Sequence, residues 1–190
     1  VLKVIKDKGK QKMFYEGKGF PTSEFSLFKD SEEVIKAIES GQIEVPFVQK
    51  LRSDGYDGRG VEIIRDKDHL SRLFDKPSLV EEMVEVHKEI AVIVARNPSG
   101  DVTSFPPVEM VFHPTANLVE FLSSPAEISE ELAERADNIA RKLADAFGII
   151  GLLAVEMFVD KNNNVLVNEV APRPHNSGHH TIEACVTSQY

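Results

Sequence analysis

The sequence predicts an α+β fold with mainly antiparallel sheets, and three observations carry that expectation. Two apolar runs, LLAVEMFV (152–159) and VLVNEVA (165–171), are joined by the short polar turn DKNNN, which is the form of a tight antiparallel hairpin. One long amphipathic helix is written between about residues 126 and 147. The first half alternates short strand-like runs with too few helices to cross over between the strands of a parallel, doubly wound sheet.

Taken in order, Asp30 followed by Glu33 has the form of a helix cap. Val34, Ile35 and Ile38 supply one apolar face, and Gly41 supplies the stop. Residues 45–50 and 61–64 read as strands separated by the glycine-rich RSDGYDGRG (52–60). Asp66 can cap a short helix that buries Leu70, Leu73 and Phe74. Residues 79–84 and 89–96 are strand-like, with Asn97-Pro98-Ser99-Gly100 as a turn. Residues 102–111 read as strand interrupted by Pro106 and Pro107. For the long helix, Ser124 is the expected N-cap, Pro125 the first-turn proline and Glu127 the capping acid. Ile128, Leu132, Ala136, Ile139, Leu143 and Phe147 recur every three or four residues before Gly148. The last ten residues, TIEACVTSQY, read as a helix without a stop signal.

The 190 residues are 42% hydrophobic and 28% charged, an ordinary globular balance. Lysine and arginine total 22 against 31 acids, a formal charge of −9. That argues against nucleic acid or an anionic membrane as partner, since both need a basic surface, but a small phosphorylated ligand needs only a few local cations. The single cysteine, Cys185, forms no internal disulfide and favours a reducing compartment. With no signal-like start and no apolar run of membrane-spanning length, a cytoplasmic protein is expected. The absence of a starting methionine and the unfinished last helix suggest a piece of a longer chain.

Glu156 and Glu169 lead the candidates for chemistry. With a four-residue loop at 161–164 they lie directly across the hairpin on one face. Two such carboxylates repel unless a cation sits between them, and a hard divalent ion, Mg²⁺ above all, would resolve that. The alternative is a solvated sheet face, and a slip of one residue would separate the pair. The loop at 53–60, with Gly55, Gly58 and Gly60, lets backbone amides approach a phosphate, or it is simply a flexible connection. Lys50 enters that loop from a strand end, as a point charge for a phosphate or as a solvated lysine. In the segment 171–180, Arg173, His175 and Asn176 can present a cation and donors to an anion. His175 and His179 have helical metal spacing, but Pro172, Pro174 and Gly178 argue against a helix there. Glu81 to Val84 and Glu89 could serve an adenine and its ribose, or form a plain strand with charged flanks.

Together these residues resemble the ATP-grasp enzymes, and among them the 5-(carboxyamino)imidazole ribonucleotide synthetases. The likeness rests on GYDGRG (55–60), VEMF (155–158) and above all NEVAPRPHNSGHHTIEAC (168–185). It extends more weakly through DKGKQK (7–12), FVQK (47–50), LVEEMVEVHKE (79–89) and IVARNPSGDV (93–102). The resemblance implies an ATP-grasp region over 1–190, with a small lobe near 13–78, a large lobe near 79–190, and ATP between them. The family's N-terminal α/β domain and its C-terminal domain fall outside the chain, so an isolated fragment of reduced activity is expected.

The resemblance also assigns roles. Lys8, Lys50 and the loop glycines Gly55 and Gly58 would meet the phosphates of ATP. Glu81 and the backbone of Glu82, Met83 and Val84 would meet adenine, Glu89 the ribose, and Asn168 the nucleotide. Glu156 and Glu169 would hold Mg²⁺. Tyr56 and Arg59 match residues that serve the bicarbonate-derived intermediate, and Arg173, His175 and Asn176 match the aminoimidazole ribonucleotide site. The implied reaction phosphorylates bicarbonate with ATP to carboxyphosphate, which carboxylates the exocyclic amine of aminoimidazole ribonucleotide in purine biosynthesis. A homodimer is common in the family. Ser53-Asp54 and Lys8 depart from the family's small-residue–glycine pair and arginine, making the loop more acidic and giving up a bidentate contact. The alternatives are another ATP-grasp ligase, such as a formate-dependent glycinamide ribonucleotide transformylase, and a nucleotide-binding module without catalysis.

Overall fold

The structure, a computed structural model, describes residues 1–53, 60–112 and 119–190. Along the described chain run α1 (Leu2–Ile5), α2 (Lys8–Gly17), β1 (Phe25–Phe28), α3 (Ser31–Glu39), β2 (Phe47–Leu51), β3 (Val61–Ile64) and β4 (Ser78–Glu82). They are followed by β5 (Val86–Arg96), β6 (Val102–Ser104), β7 (Val108–Phe112), β8 (Val119–Ser123), α4 (Glu130–Phe147), β9 (Gly151–Asp160), β10 (Val165–Ala171) and α5 (Thr181–Ala184). Every strand pairing is antiparallel, so the α+β expectation holds. The chain forms two compact units, one from Leu2–Phe14 with Ser23–Val84, the other from Tyr15–Thr22 with Glu85–Tyr190 and Val1.

The first unit is a four-stranded sheet in the order β1-β4-β2-β3. On one face Val34 and Ala37 of α3 pack with Phe28, Phe47, Ile64 and Val80. Asp30 caps α3 by accepting from the Glu33 amide at 3.0 Å, while the Glu33 carboxylate accepts from the Lys29 amide at 2.8 Å. Ile35 was expected on the apolar face but is 37% exposed. One residue is about 100° of helix, so Val34, Ala37 and Ile38 keep the buried spacing and Ile35 turns out of it. The helix expected after Asp66 is a 3-10 turn, Lys67–Arg72, with Leu70, Leu73 and Phe74 only half-buried. So short a segment gains little from packing and settles for the tighter turn. The other face carries the first turns of α2. A Cβ on Gly9 would lie 2.9 Å from Leu27 Cδ2, and Lys12 stands over the Phe25 ring.

The second unit is a six-stranded sheet in the order β10-β9-β5-β7-β8, with β6 also paired to β5. Leu132, Ala136, Ala140, Leu143, Ala144 and Phe147 of α4 are all buried, as are Ile90, Val92, Val94, Leu153, Val155 and Met157 of the central strands. A fully buried Leu, Ile or Val contributes about 2 kcal/mol, and α4 owes its place to that stripe. The helix begins at Glu130, not near 126, and its N-cap is Ser129, which accepts from the Leu132 amide at 3.3 Å. Ser124 is not the cap: the better start has Glu130 and Glu131 in its first turn, where acids favour the helix dipole. Gly148 ends the helix in the left-handed region, φ +60°, as expected. The C-terminal segment is not a continuing helix. After α5, Cys185 turns extended, and Gln189 is buried by its own hydrogen bonds. The edge strand β10 is covered, since the Val167 amide donates to Pro21 O and Val167 O accepts from Thr22 Oγ1, each at 2.8 Å.

Candidate functional site

The two central glutamates are brought together, but not by the loop length. Near the turn the ladder pairs Val165 with Val159, Leu166 with Phe158 and Val167 with Met157, one residue off the register that a plain four-residue loop predicts. Continued, that register would set Glu169 across from Val155. A bulge between Val167 and Glu169 inserts Asn168 as an extra residue, and beyond it Glu169 pairs with Glu156. Both glutamates are half-buried. Through the register Ala91↔Glu156 and Glu89↔Phe158, Glu89 falls on the same face of the sheet as the pair. Two facing carboxylates are a donor set that suits a hard dication. Among the described residues no group of three or more His, Cys, Asp or Glu is gathered to cage a metal.

His175 lies against this pair. Its Nε2 is 3.2 Å from Glu156 Oε1, and its Nδ1 meets the Ser177 hydroxyl at 2.9 Å and accepts from the Ser177 amide at 3.3 Å. Assigned from that network, the ring proton sits on Nε2 and is given to Glu156. The histidine is 8% exposed. Its backbone is clamped by buried Gln189, whose Oε1 accepts from His175 N at 3.0 Å and whose Nε2 donates to His175 O at 2.8 Å. Gly178 allows the close approach: a Cβ there would lie 2.3 Å from Ile93 Cδ1 and 2.6 Å from the Gln189 amide. Arg173 and Asn176 are both exposed. Arg173 donates to Pro174 O, and the Asn176 side chain accepts from the Ser177 amide.

A second cluster belongs to the four-stranded unit. Glu81 is buried, with Oε2 2.5 Å from Lys50 Nζ and Oε1 2.6 Å from Lys12 Nζ. Ser23 Oγ accepts from Lys12 at 2.8 Å and donates to Glu81 Oε1 at 3.2 Å. Burial alone would raise the Glu81 carboxyl, but Lys50 and Lys12 outweigh it and hold it down at about 2. Burial also pulls the Lys12 ammonium below its ordinary value, against the opposing pull of Glu81. Lys8 opens α2 with its amide donating to Arg52 O at 2.9 Å. Arg52 grips Asp7 with Nε–Oδ1 at 2.9 Å and Nη2–Oδ2 at 2.7 Å. Glu82 is exposed, and Met83 and Val84 follow β4 outside any strand.

Tyr56, Arg59, Gly55 and Gly58 lie outside the described residues. Lys12, Ser177, Gly178 and Gln189 were missed as site-building residues in the sequence. The one available signal was Gly178 inside a run of bulky polar residues.

Residues 13–190 match the ATP-grasp domain family. A phosphoribosylaminoimidazole carboxylase of Candida albicans is 41% identical over 149 residues, 76% of this chain and 26% of that protein. The solved N5-carboxyaminoimidazole ribonucleotide synthetase of Thermotoga maritima is 40% identical with a TM-score of 0.84, covering 99% of this chain and 47% of that one. An Aspergillus clavatus N5-carboxyaminoimidazole synthase, solved with ADP and 5-aminoimidazole ribonucleotide, is 30% identical with a TM-score of 0.87, over 98% of this chain and 49% of that one. The chain thus spans about half or less of the length of these relatives.

Proposed function

The chain belongs to the ATP-grasp family, and on that premise we propose that it is the nucleotide-binding part of a 5-(carboxyamino)imidazole ribonucleotide synthetase. The reaction is ATP-dependent: bicarbonate takes the terminal phosphoryl group of ATP to give carboxyphosphate and ADP, and the carboxyl group then passes to the exocyclic amine of aminoimidazole ribonucleotide with release of phosphate. The four-stranded and six-stranded units are read as the small and large ATP-grasp lobes. The observation that carries the proposal is the pairing of Glu156 with Glu169 through the Asn168 bulge. It sits in a chain whose relatives of 30–41% identity are named for this reaction.

Glu156 and Glu169 would hold Mg²⁺, which when bound offsets the negative charge of the polyphosphate. Lys50 and Lys8 supply further positive charge to the phosphates. Glu89 binds the ribose, Asn168 the nucleotide, and the backbone of Glu82, Met83 and Val84 the adenine. His175 orients Glu156 through Nε2–H, and Arg173 and Asn176 remain exposed for the ribonucleotide. Tyr56 and Arg59 would serve carboxyphosphate, with the loop excluding water from a labile intermediate. No covalent nucleophile is required, and Cys185 has no role in the step.

The test is turnover of the complete protein that carries these residues. ATP hydrolysis should rise with bicarbonate and aminoimidazole ribonucleotide together and fall by about 100-fold or more in Glu156→Gln. Stimulation by glycinamide ribonucleotide and formate instead would assign a different ATP-grasp ligase. ATPase activity untouched by Glu156→Gln would remove the metal role.

A further inference from the structure

We propose that Glu81 is a positioning residue that acts through Lys50: its carboxylate fixes the Lys50 ammonium for the phosphates of a nucleoside triphosphate, and Lys12 anchors that carboxylate from behind. The proposal deepens the function given above and rests on Lys50 as a phosphate ligand.

The sheet register explains how the three groups meet. In β2 and β4, Val48 pairs with Glu81 and Lys50 with Leu79, so Lys50 and Glu81 are diagonal neighbours on one face. That diagonal is within reach of two long side chains. Phe25 pairs with Glu81 from the other side, and Lys12 reaches the same carboxylate from α2, over the Phe25 ring at 5.7 Å. The carboxylate is therefore engaged from both sides. One oxygen takes Lys50 and the other takes Lys12 and Ser23, with the residue 3% exposed. A group so enclosed and so committed is poorly placed to read an adenine edge, the role that the resemblance gave it.

Exposure points the same way. The Lys12 side chain is 2% exposed and the Lys50 side chain 13%, so of the two ammoniums Lys50 is the one that meets solvent. A long lysine side chain loses rotamer freedom when it is fixed on a ligand, and holding its head group before the ligand arrives removes part of that cost from binding. Lys12 and Glu81 are thus the support that makes Lys50 a fixed charge instead of a waving one.

The experiment is calorimetric titration of the complete protein with Mg-ATP, Mg-GTP and tripolyphosphate, in wild type, Glu81→Gln, Lys50→Met and the double variant. Glu81→Gln should weaken ATP and tripolyphosphate alike by roughly tenfold while the ratio of ATP to GTP affinity stays unchanged. In the Lys50→Met background the same change should cost less than about twofold, because its effect passes through Lys50. An equal loss in both backgrounds, or a collapse of the ATP-to-GTP ratio, would overturn the proposal and return Glu81 to a structural or adenine-reading role. Lys50→Met binding ATP as wild type does would remove the phosphate role of Lys50 itself, a distinct failure. If Glu81→Gln does not fold, Glu81→Asp keeps the charge but shortens its reach by one methylene. It should show the same loss for ATP and tripolyphosphate, and wild-type affinity in Glu81→Asp would count against the proposal.

Discussion

Replacing Glu81 with glutamine removes a buried carboxylate that two lysines hold in its charged form, and the consequence for acid stability can be worked from its surroundings. In the folded chain the carboxyl sits at about 2 against an ordinary 4.5. Because the folded value is the lower one, the ion contributes stability that is complete above pH 4.5 and disappears as pH falls toward 2. At ~1.4 kcal/mol for each tenfold change in proton affinity, the gap between 4.5 and about 2 amounts to about 3 kcal/mol. The residue is almost fully enclosed, so solvent screening takes little from that figure. Urea unfolding followed by far-ultraviolet circular dichroism, at steps from pH 7 to pH 2, measures it as a difference. The stability advantage of wild type over Glu81→Gln should shrink by about 3 kcal/mol, most of it below pH 4.5. Other carboxylates titrate in both proteins and cancel. A difference that stays flat to pH 2, or grows on acidification, would refute the two-lysine arrangement.

Gly178→Ala should destabilise by about 2 kcal/mol through overpacking against Ile93 and Gln189. Ile93→Val, which removes the offending Cδ1 methyl, should cost less in that background than in wild type, read from a double-mutant cycle of unfolding midpoints. Ser129→Ala should lower stability by about 1 kcal/mol through loss of the α4 cap, whereas Ser124→Ala should change it by less than about 0.5 kcal/mol. Gln189→Leu strands the buried backbone N–H and C=O of His175. It should cost about 2–4 kcal/mol, with hydrogen-exchange protection at the His175 amide lost first.

Most of the secondary structure was legible because it is local. The Asp30–Glu33 cap, the Gly148 stop and the DKNNN turn each announce themselves within a few residues. The start of α4 was misplaced because Ser124 and Ser129 both stand ahead of acids, and only the tertiary packing of Leu132 chooses between them. Glu156 and Glu169 were rightly paired for an incomplete reason. The bulge at Asn168 has no sequence signal of its own, since an asparagine in a strand looks like any other polar position. The buried lysine cluster was invisible for a different cause: Lys12, Ser23, Lys50 and Glu81 come from four separate segments that only the sheet register and α2 bring to one point. The clamp of Gln189 on His175 was hidden in the same way, behind a terminal run that reads as helix.

The Asn168 bulge also separates the mechanics of the hairpin tip from those of the carboxylate pair. Between the turn and residue 167 the strands run in one phase, and beyond 168 they run in another that sets Glu169 against Glu156. A disturbance entering at residues 161–164 reaches the carboxylates only after crossing this phase change. The exposed tip is thus a natural place to graft a fluorophore or an affinity sequence. Placed there, a reporter would ride on the strand that bears Glu169, with the change of phase lying between it and the carboxylates.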